Sequence, residues 1–214
     1  MQLTMPFVRA RPSYAAVDFL RGEANACALD YLMQWPDWTY SITLIHGPSL
    51  SGKTHLAHVF AEYSRACFID PARIGTGPAD QLLIGHHAWI IDGIEAIADE
   101  AALAQCINHV RARGDYLLLT ATTSAAQLPF TLPDLCSRLR ALPAFMLHAP
   151  DDALLAGVLA KHLADRQLRV KPELLHLIVT QLERSYEAAH RFVQQLDQLS
   201  LTQHRAISAP LVRE

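Results

Sequence analysis

The chain has 214 residues and a mass of 23.7 kDa, with 51% hydrophobic residues, which suits one domain, or one domain with a small appendage, around a buried core. A formal net charge of −3 and a pI near 6.4 argue against a broad electrostatic grip on nucleic acid, so any role around DNA is expected to run through another protein, without direct sequence-specific DNA binding. No leader pattern opens the chain and no apolar stretch approaches the roughly 20 residues that a bilayer span needs, so a cytoplasmic protein without membrane contact is expected. Cys27, Cys67, Cys106 and Cys136 are scattered without a C-x-x-C pair and read as buried reduced thiols. The histidines form no set with metal-ligand spacing, and His55 and His58 read as helix-surface or packing residues.

In chain order, residues 1 to 13 are proline-punctuated and lack periodicity, as an extended tail would. Apolar residues at helical intervals from Val17 to about Met33 predict a helix that the Trp35-Pro36-Asp37 turn stops. Strands are predicted at 41–45, 67–70, 89–92, 116–120 and 144–147. Helical segments separate most of them: one after residue 52 to about Ala66, one carrying Leu103, Cys106, Ile107 and Val110 on one face, and a short one ending near Leu139 after a proline-rich turn. Residues 74 to 80 read as a glycine-proline linker. Strands that are nearly continuous in apolar residues and alternate with helices describe an α/β protein, a parallel sheet with helices on both faces. After Pro150 the pattern is purely helical. Three parts follow: the tail, residues 14 to 149 as the sheet domain, and residues 150 to 214 as a small helical lid.

The chemistry concentrates between the first strand and the helix after it. Gly47-Pro48-Ser49-Leu50-Ser51-Gly52-Lys53-Thr54 reads G-x-x-x-x-G-K-T, the phosphate-binding loop, with a strand before it and a helix behind it. Glycines let successive backbone N–H groups converge on phosphate oxygens, Lys53 offers a point charge to the β- and γ-phosphates, and the Thr54 hydroxyl is a Mg²⁺ ligand. Asp92 ends the third strand, where a nucleoside triphosphatase keeps the carboxylate that holds Mg²⁺ through water. Gly93 follows it where many such enzymes carry a second carboxylate, so weak intrinsic hydrolysis is expected unless Glu95 or a partner substitutes. Thr122 follows the fourth strand, in reach of a γ-phosphate.

With these parts in order, the chain resembles the DnaA branch of the AAA+ ATPases, most closely its Hda type, the regulators of DnaA inactivation. Residues 12 to 25 look like the family's adenine-side entry segment, with Tyr14, Phe19, Gly22 and Asn25 at its marked positions and Leu20 beside them. The resemblance implies bound ADP or ATP with Mg²⁺, a sensor 1 segment at Thr120-Ala121-Thr122, and an arginine finger, Arg138, in the Ser137-Arg138 pair. That finger would act in trans on ATP held by the DnaA initiator. His190 and Arg191 are the candidates for the sensor 2 position. Gln2-Leu3-Thr4-Met5-Pro6-Phe7 is similar to the peptide by which replication proteins dock on the sliding clamp, the β subunit of DNA polymerase III: Gln2 for a polar pocket, and Leu3, Met5, Pro6 and Phe7 along an apolar groove. The family's initiators add a helix-turn-helix DNA-binding domain and an N-terminal loading domain, for which this length leaves no room. The resemblance implies negative control of replication initiation, with a homo-oligomer left open. Two rivals stand beside it: a helicase-loader or adaptor ATPase, and a P-loop small-molecule kinase.

Overall fold

A computed structural model of the protein describes residues 13–168 and 170–203, so the clamp-docking motif at residues 2 to 7 lies outside the described residues. The five apolar runs become strands β1 (Ile42–His46), β2 (Cys67–Phe68), β3 (Ala88–Ile91), β4 (Tyr116–Ala121) and β5 (Ala144–Met146). They pair in parallel in the order β2-β3-β4-β1-β5, with Ile42 opposite Leu117 and Leu117 opposite Trp89. Successive side chains of a strand point to opposite faces, and the two cores divide accordingly. Ile42, Leu44, Trp89, Ile91, Leu117 and Leu119 pack with Leu103, Ile107 and Val110 of α4 (Glu100–Arg113) and with Leu135 and Leu139 of α5 (Pro133–Arg140). Ile45, Ala88, Ile90 and Leu118 pack with Ala28 and Leu32 of α1 (Ala26–Leu32) and with Leu56, Ala57 and Phe60 of α2 (Lys53–Ser64). Each fully buried leucine or isoleucine contributes roughly 1.5–3 kcal/mol, which is why the central strands carry almost no polar residue.

Four expectations need correction. The helix predicted from Val17 begins only at Ala26, after a 3-10 turn at Ala16–Asp18. The cause is Asn25, buried at 4% exposure, whose Oδ1 accepts the Gly22 N–H at 3.0 Å and whose Nδ2 donates to the Leu20 carbonyl at 2.9 Å. A side chain that hydrogen-bonds its neighbours' backbone competes with the helix, and residues 19–25 form a hook instead. The second strand is neither long nor buried: β2 keeps two residues, sits at the sheet edge, and leaves Phe68 exposed beside His58. A very short edge strand offers little to a stray pairing partner. Of the four thiols, only Cys106 is buried, and burial raises its pKa; Cys27 is exposed, Cys67 and Cys136 are half-buried, and none is in a disulfide. The stretch read as a linker holds a further short helix, α3 (Ala79–Leu82), starting within it.

Residues Tyr14–Ala149 form one compact unit, and the residues from Pro150 onward belong to a second. The second is built on α6 (Asp152–Asp165), α7 (Pro172–Gln181) and α8 (Tyr186–Gln203). Leu155, Leu159 and Leu163 recur every four residues along α6 and meet Ile178 and Val179 of α7 and Ala189, Val193 and Leu196 of α8. Asp151 caps α6 by accepting the Leu154 N–H at 2.7 Å, Pro172 opens α7, and Ser185 accepts the Ala188 N–H at 3.0 Å at the head of α8. No helix among the described residues is long and apolar enough to cross a membrane.

Candidate functional site

The loop between β1 and α2 is shaped by what its backbone must do. A Cβ on Gly47 would lie 2.7 Å from the Leu147 carbonyl oxygen, so only glycine lets β1 and the segment after β5 approach this closely. Gly52 adopts φ 94° and Leu50 φ 63°, both left-handed, and this alternation turns consecutive N–H groups toward one concavity. Leucine rarely accepts that conformation, at a cost of about 1–2 kcal/mol, and it is held here with its side chain half exposed. Lys53 closes the loop: its Nζ donates to the carbonyls of Gly47 and Pro48, both at 2.8 Å. Burial lowers its pKa, and the charges of Glu95 and Asp92 oppose that shift. His46, the last residue of β1, also has a lowered pKa, through burial and then through His148 and Lys53.

The ends of β3 and β4 supply the oxygen ligands. Thr54 Oγ1 donates to Asp92 Oδ2 at 2.7 Å, and Thr120 Oγ1 donates to Asp92 Oδ1 at 2.5 Å while accepting the Gly93 N–H at 2.8 Å. The carboxylate predicted from sequence is therefore oriented from both sides, and the Thr54–Asp92 pair is an all-oxygen donor set that suits Mg²⁺, which takes few protein ligands and keeps water and phosphate oxygens. Among the described residues no cluster of three or more His, Cys, Asp or Glu offers an alternative metal site. Thr122 is exposed, and the contact it makes is through its backbone: its N–H donates to Glu95 Oε1 at 3.0 Å. Sequence reasoning placed Thr120 in the sensor 1 segment but did not foresee that its hydroxyl would aim Asp92. Its signal was a buried polar residue, 1% exposed, in an otherwise apolar strand.

The entry segment lies against α2. Phe19 packs over the loop, its Cε2 lying 3.7 Å from where a Cβ on Gly52 would stand, and its ring meets His55 edge-on at 5.2 Å. Tyr14 stacks on His58 at 4.6 Å, so both histidines of α2 pack, as expected. Asn25 and the Leu20 carbonyl are spent on each other, and their part is to hold this hook in place.

Arg138 lies on the outward side of α5. Its Nε donates to Asp134 Oδ2 at 2.8 Å, one helical turn back, and its Nη1 donates to Asn108 Oδ1 of α4 at 2.5 Å. Glu100 fixes where α5 begins: its carboxylate accepts the N–H groups of Thr131 and Leu132 at 2.9 and 2.6 Å, and those bonds hold its pKa below the usual carboxylate range. In the second unit, His190 is half-buried with its ring edge-on to His162 at 5.6 Å, and Arg191 is exposed.

A parallel sheet of order β2-β3-β4-β1-β5, a G-x-x-x-x-G-K-T loop after β1, an aspartate at the end of β3, with β4 between those two strands, and a helical lid define the AAA+ class of P-loop proteins. Domain III of the replication initiation protein DnaA from Thermotoga maritima has this fold, with a TM-score of 0.77 over 95% of each chain at 16% identity. AMPPCP-bound DnaA from Aquifex aeolicus matches with a TM-score of 0.68 over 89% of this chain and 67% of that one at 14% identity. The Thermotoga maritima RuvB Holliday junction branch migration motor matches with a TM-score of 0.68 over 94% and 70% at 16% identity. Residues 152–214 match the family model described as Hda, lid domain. No curated protein matches the sequence. Residues 152–214 are thus similar to the lid of Hda, and the chain as a whole shares the AAA+ fold of DnaA domain III.

Proposed function

We propose that this protein binds ADP or ATP at Gly47–Thr54 and is a negative regulator of replication initiation: the sliding clamp recruits it through Gln2, Leu3, Met5, Pro6 and Phe7, and it presents Arg138 to ATP held by the DnaA initiator. The observation that carries the reading is a lid of the Hda type on a DnaA-like sheet whose α5 holds an arginine at its outer side. Thr54 and Asp92 would hold Mg²⁺, which would supply charge neutralisation at the phosphates. The chain's own groups do the rest. Lys53 exchanges its two carbonyl contacts for phosphate oxygens, the N–H groups of the loop cradle them, and Phe19 closes the side of the loop. Asp134 and Asn108 hold the Arg138 guanidinium through Nε and Nη1, and its other N–H groups would serve an acceptor on another molecule. A guanidinium placed beside a neighbour's γ-phosphate stabilises transition-state charge and accelerates hydrolysis by about 10³ to 10⁵.

A single-turnover assay tests this, with radiolabelled ATP preloaded on the initiator, DNA-loaded clamp, and wild-type or Arg138→Ala protein. The expected outcome is loss of stimulation by about 10³-fold with the variant's own nucleotide affinity unchanged. Stimulation undiminished in the variant rejects the finger. Gln2→Ala with Leu3→Ala is expected to abolish clamp association, read by surface plasmon resonance, without altering the thermal melt.

A further inference from the structure

Gly93 stands where a second carboxylate would face the γ-phosphate, and it has no side chain to offer. The backbone brings one by another route. Gly93 is left-handed, at φ 79°, and its N–H is held by the Thr120 hydroxyl, so the chain reverses into the 3-10 turn Ile94–Ala96, anchored by the buried Ile94. The turn delivers Glu95 to the end of β4, where Oε1 accepts the Thr122 N–H at 3.0 Å. Its second oxygen, Oε2, is buried and has no hydrogen-bond partner. Leaving a buried acceptor unsatisfied costs roughly 1–3 kcal/mol, more for a charged group, so this oxygen is built for a donor that arrives with a ligand. Lys53 is not that donor, since its ammonium is bound to the Gly47 and Pro48 carbonyls.

We infer that Glu95 is a catalytic carboxylate, which orients and deprotonates the water that attacks ATP bound on this chain's own loop. In that step the water oxygen bonds to the γ-phosphorus and the bond from that phosphorus to the β–γ bridging oxygen breaks. Its electron pair stays on ADP, and the proton lost by the water passes to Glu95 and then to the released phosphate. The Thr122 N–H, holding Oε1, leaves Oε2 as the working oxygen. Thr120 serves as a positioning residue, because it aims both Asp92 and the Gly93 turn.

The inference rests on the nucleotide binding proposed above, and the test separates the two. Full-length wild type and Glu95→Gln are titrated calorimetrically with ADP and with AMPPCP, then loaded with ATP and Mg²⁺ for single-turnover hydrolysis. Glutamine keeps the acceptor for Thr122, so the turn should persist. The expected result is ADP affinity within about threefold of wild type, AMPPCP affinity raised a few-fold because a negative charge beside the γ-phosphate is gone, and hydrolysis slowed by about 10²- to 10⁴-fold. Should Glu95→Gln melt at a much lower temperature, Glu95→Asp is the arbiter: with its carboxylate retracted by one methylene, it is expected to bind normally and turn over slowly. A variant rate within about twofold of wild type at unchanged binding overturns the inference, as does a wild type that binds ATP and keeps it intact for hours. A wild type that binds neither nucleotide removes the nucleotide site, and this inference with it.

Discussion

The sheet unit and the lid place different titratable groups at their buried and half-buried positions. In the sheet unit two carboxylates are met by donors and cations: the half-buried Asp92 by the hydroxyls of Thr54 and Thr120, and Asp115, 1% exposed, by His87 Nδ1 at 2.9 Å. Arg113 Nε adds an ion-pair contact to Asp115 Oδ2 at 2.8 Å, outside hydrogen-bond alignment. The lid core buries imidazoles and a phenol instead and keeps them neutral. Burial, then the charges of His190 and Arg166, pushes His162 down to about 4, and burial, then Asp151, pushes Tyr186 up to about 12. Tyr186 Oη and His190 Nδ1 are buried with no hydrogen-bond partner. The difference shows where charge is available. The sheet unit sets its carboxylates beside hydroxyls and cations, and sets Lys53, whose pKa burial lowers, beside the opposing charges of Glu95 and Asp92. At the candidate sensor 2 position, burial and Arg166 lower the His190 pKa, so at neutral pH it offers a hydrogen bond, and the fixed cation beside it in sequence is the exposed Arg191.

The largest effect is expected where a buried ion would lose its partner. Arg113→Met leaves the Asp115 carboxylate buried with only the exposed His87 beside it, and should cost about 3–4 kcal/mol. Removing the carboxylate as well, in Arg113→Met with Asp115→Asn, should recover much of that. Urea unfolding of the three proteins decides it: a single-variant loss under about 1 kcal/mol would show that the sheet unit does not depend on pairing its buried charge.

The sequence made the phosphate loop, Asp92 and the five strands legible because each rests on local chemistry: an apolar run, a glycine pair, a lysine at fixed spacing. It failed where long-range hydrogen bonds decide. Helical spacing of Leu20 and Ala24 could not reveal that Asn25 would claim the Gly22 N–H and the Leu20 carbonyl, turning a predicted helix into a hook. The sequence marked Thr120 within the sensor 1 segment and Glu95 as a stand-in for the absent carboxylate, but not their partners 28 and 27 residues away, Asp92 and Thr122, because no spacing rule connects those positions. Asn108 is invisible for the same reason, since it meets Arg138 only because α4 and α5 share a core.

The lid's half of the comparison is open to acid. His162 titrates near 4 in the folded protein against an ordinary 6.5, so between those values the unfolded chain binds a proton that the folded chain refuses. Stability is complete above about pH 6.5 and falls as the pH drops toward 4, by about 2–3 kcal/mol once the ring's partial exposure is allowed for. His162→Leu should flatten that slope in melts followed by circular dichroism; an unchanged slope would assign the acid sensitivity elsewhere. In the sheet unit, Lys53→Ala should weaken ADP and AMPPCP binding by about 10- to 10²-fold, because a charge-assisted bond to phosphate is lost while the backbone cradle stays. Calorimetric affinity equal to wild type would remove the phosphate loop from the site.

The smallest effect separates Gly93 from Glu95. If the missing side chain at Gly93 were the only reason for slow hydrolysis, Gly93→Glu should raise the rate. The backbone argues otherwise. At φ 79° an L-residue costs about 1–2 kcal/mol, although nothing lies within 4 Å of the new Cβ, so the penalty is conformational and not a clash. A backbone that relaxes that strain pulls the Gly93 N–H from the Thr120 hydroxyl and loosens the turn that holds Glu95 at Thr122. Gly93→Glu is therefore expected to lose about 1–2 kcal/mol in urea unfolding and to hydrolyse ATP no faster than wild type, whereas Gly93→Ala should show the same stability loss with no added carboxylate. A Gly93→Glu protein that gains rate while Gly93→Ala does not would mean that the water lacks a base in the wild type, and that Glu95 is held by Thr122 for the turn alone.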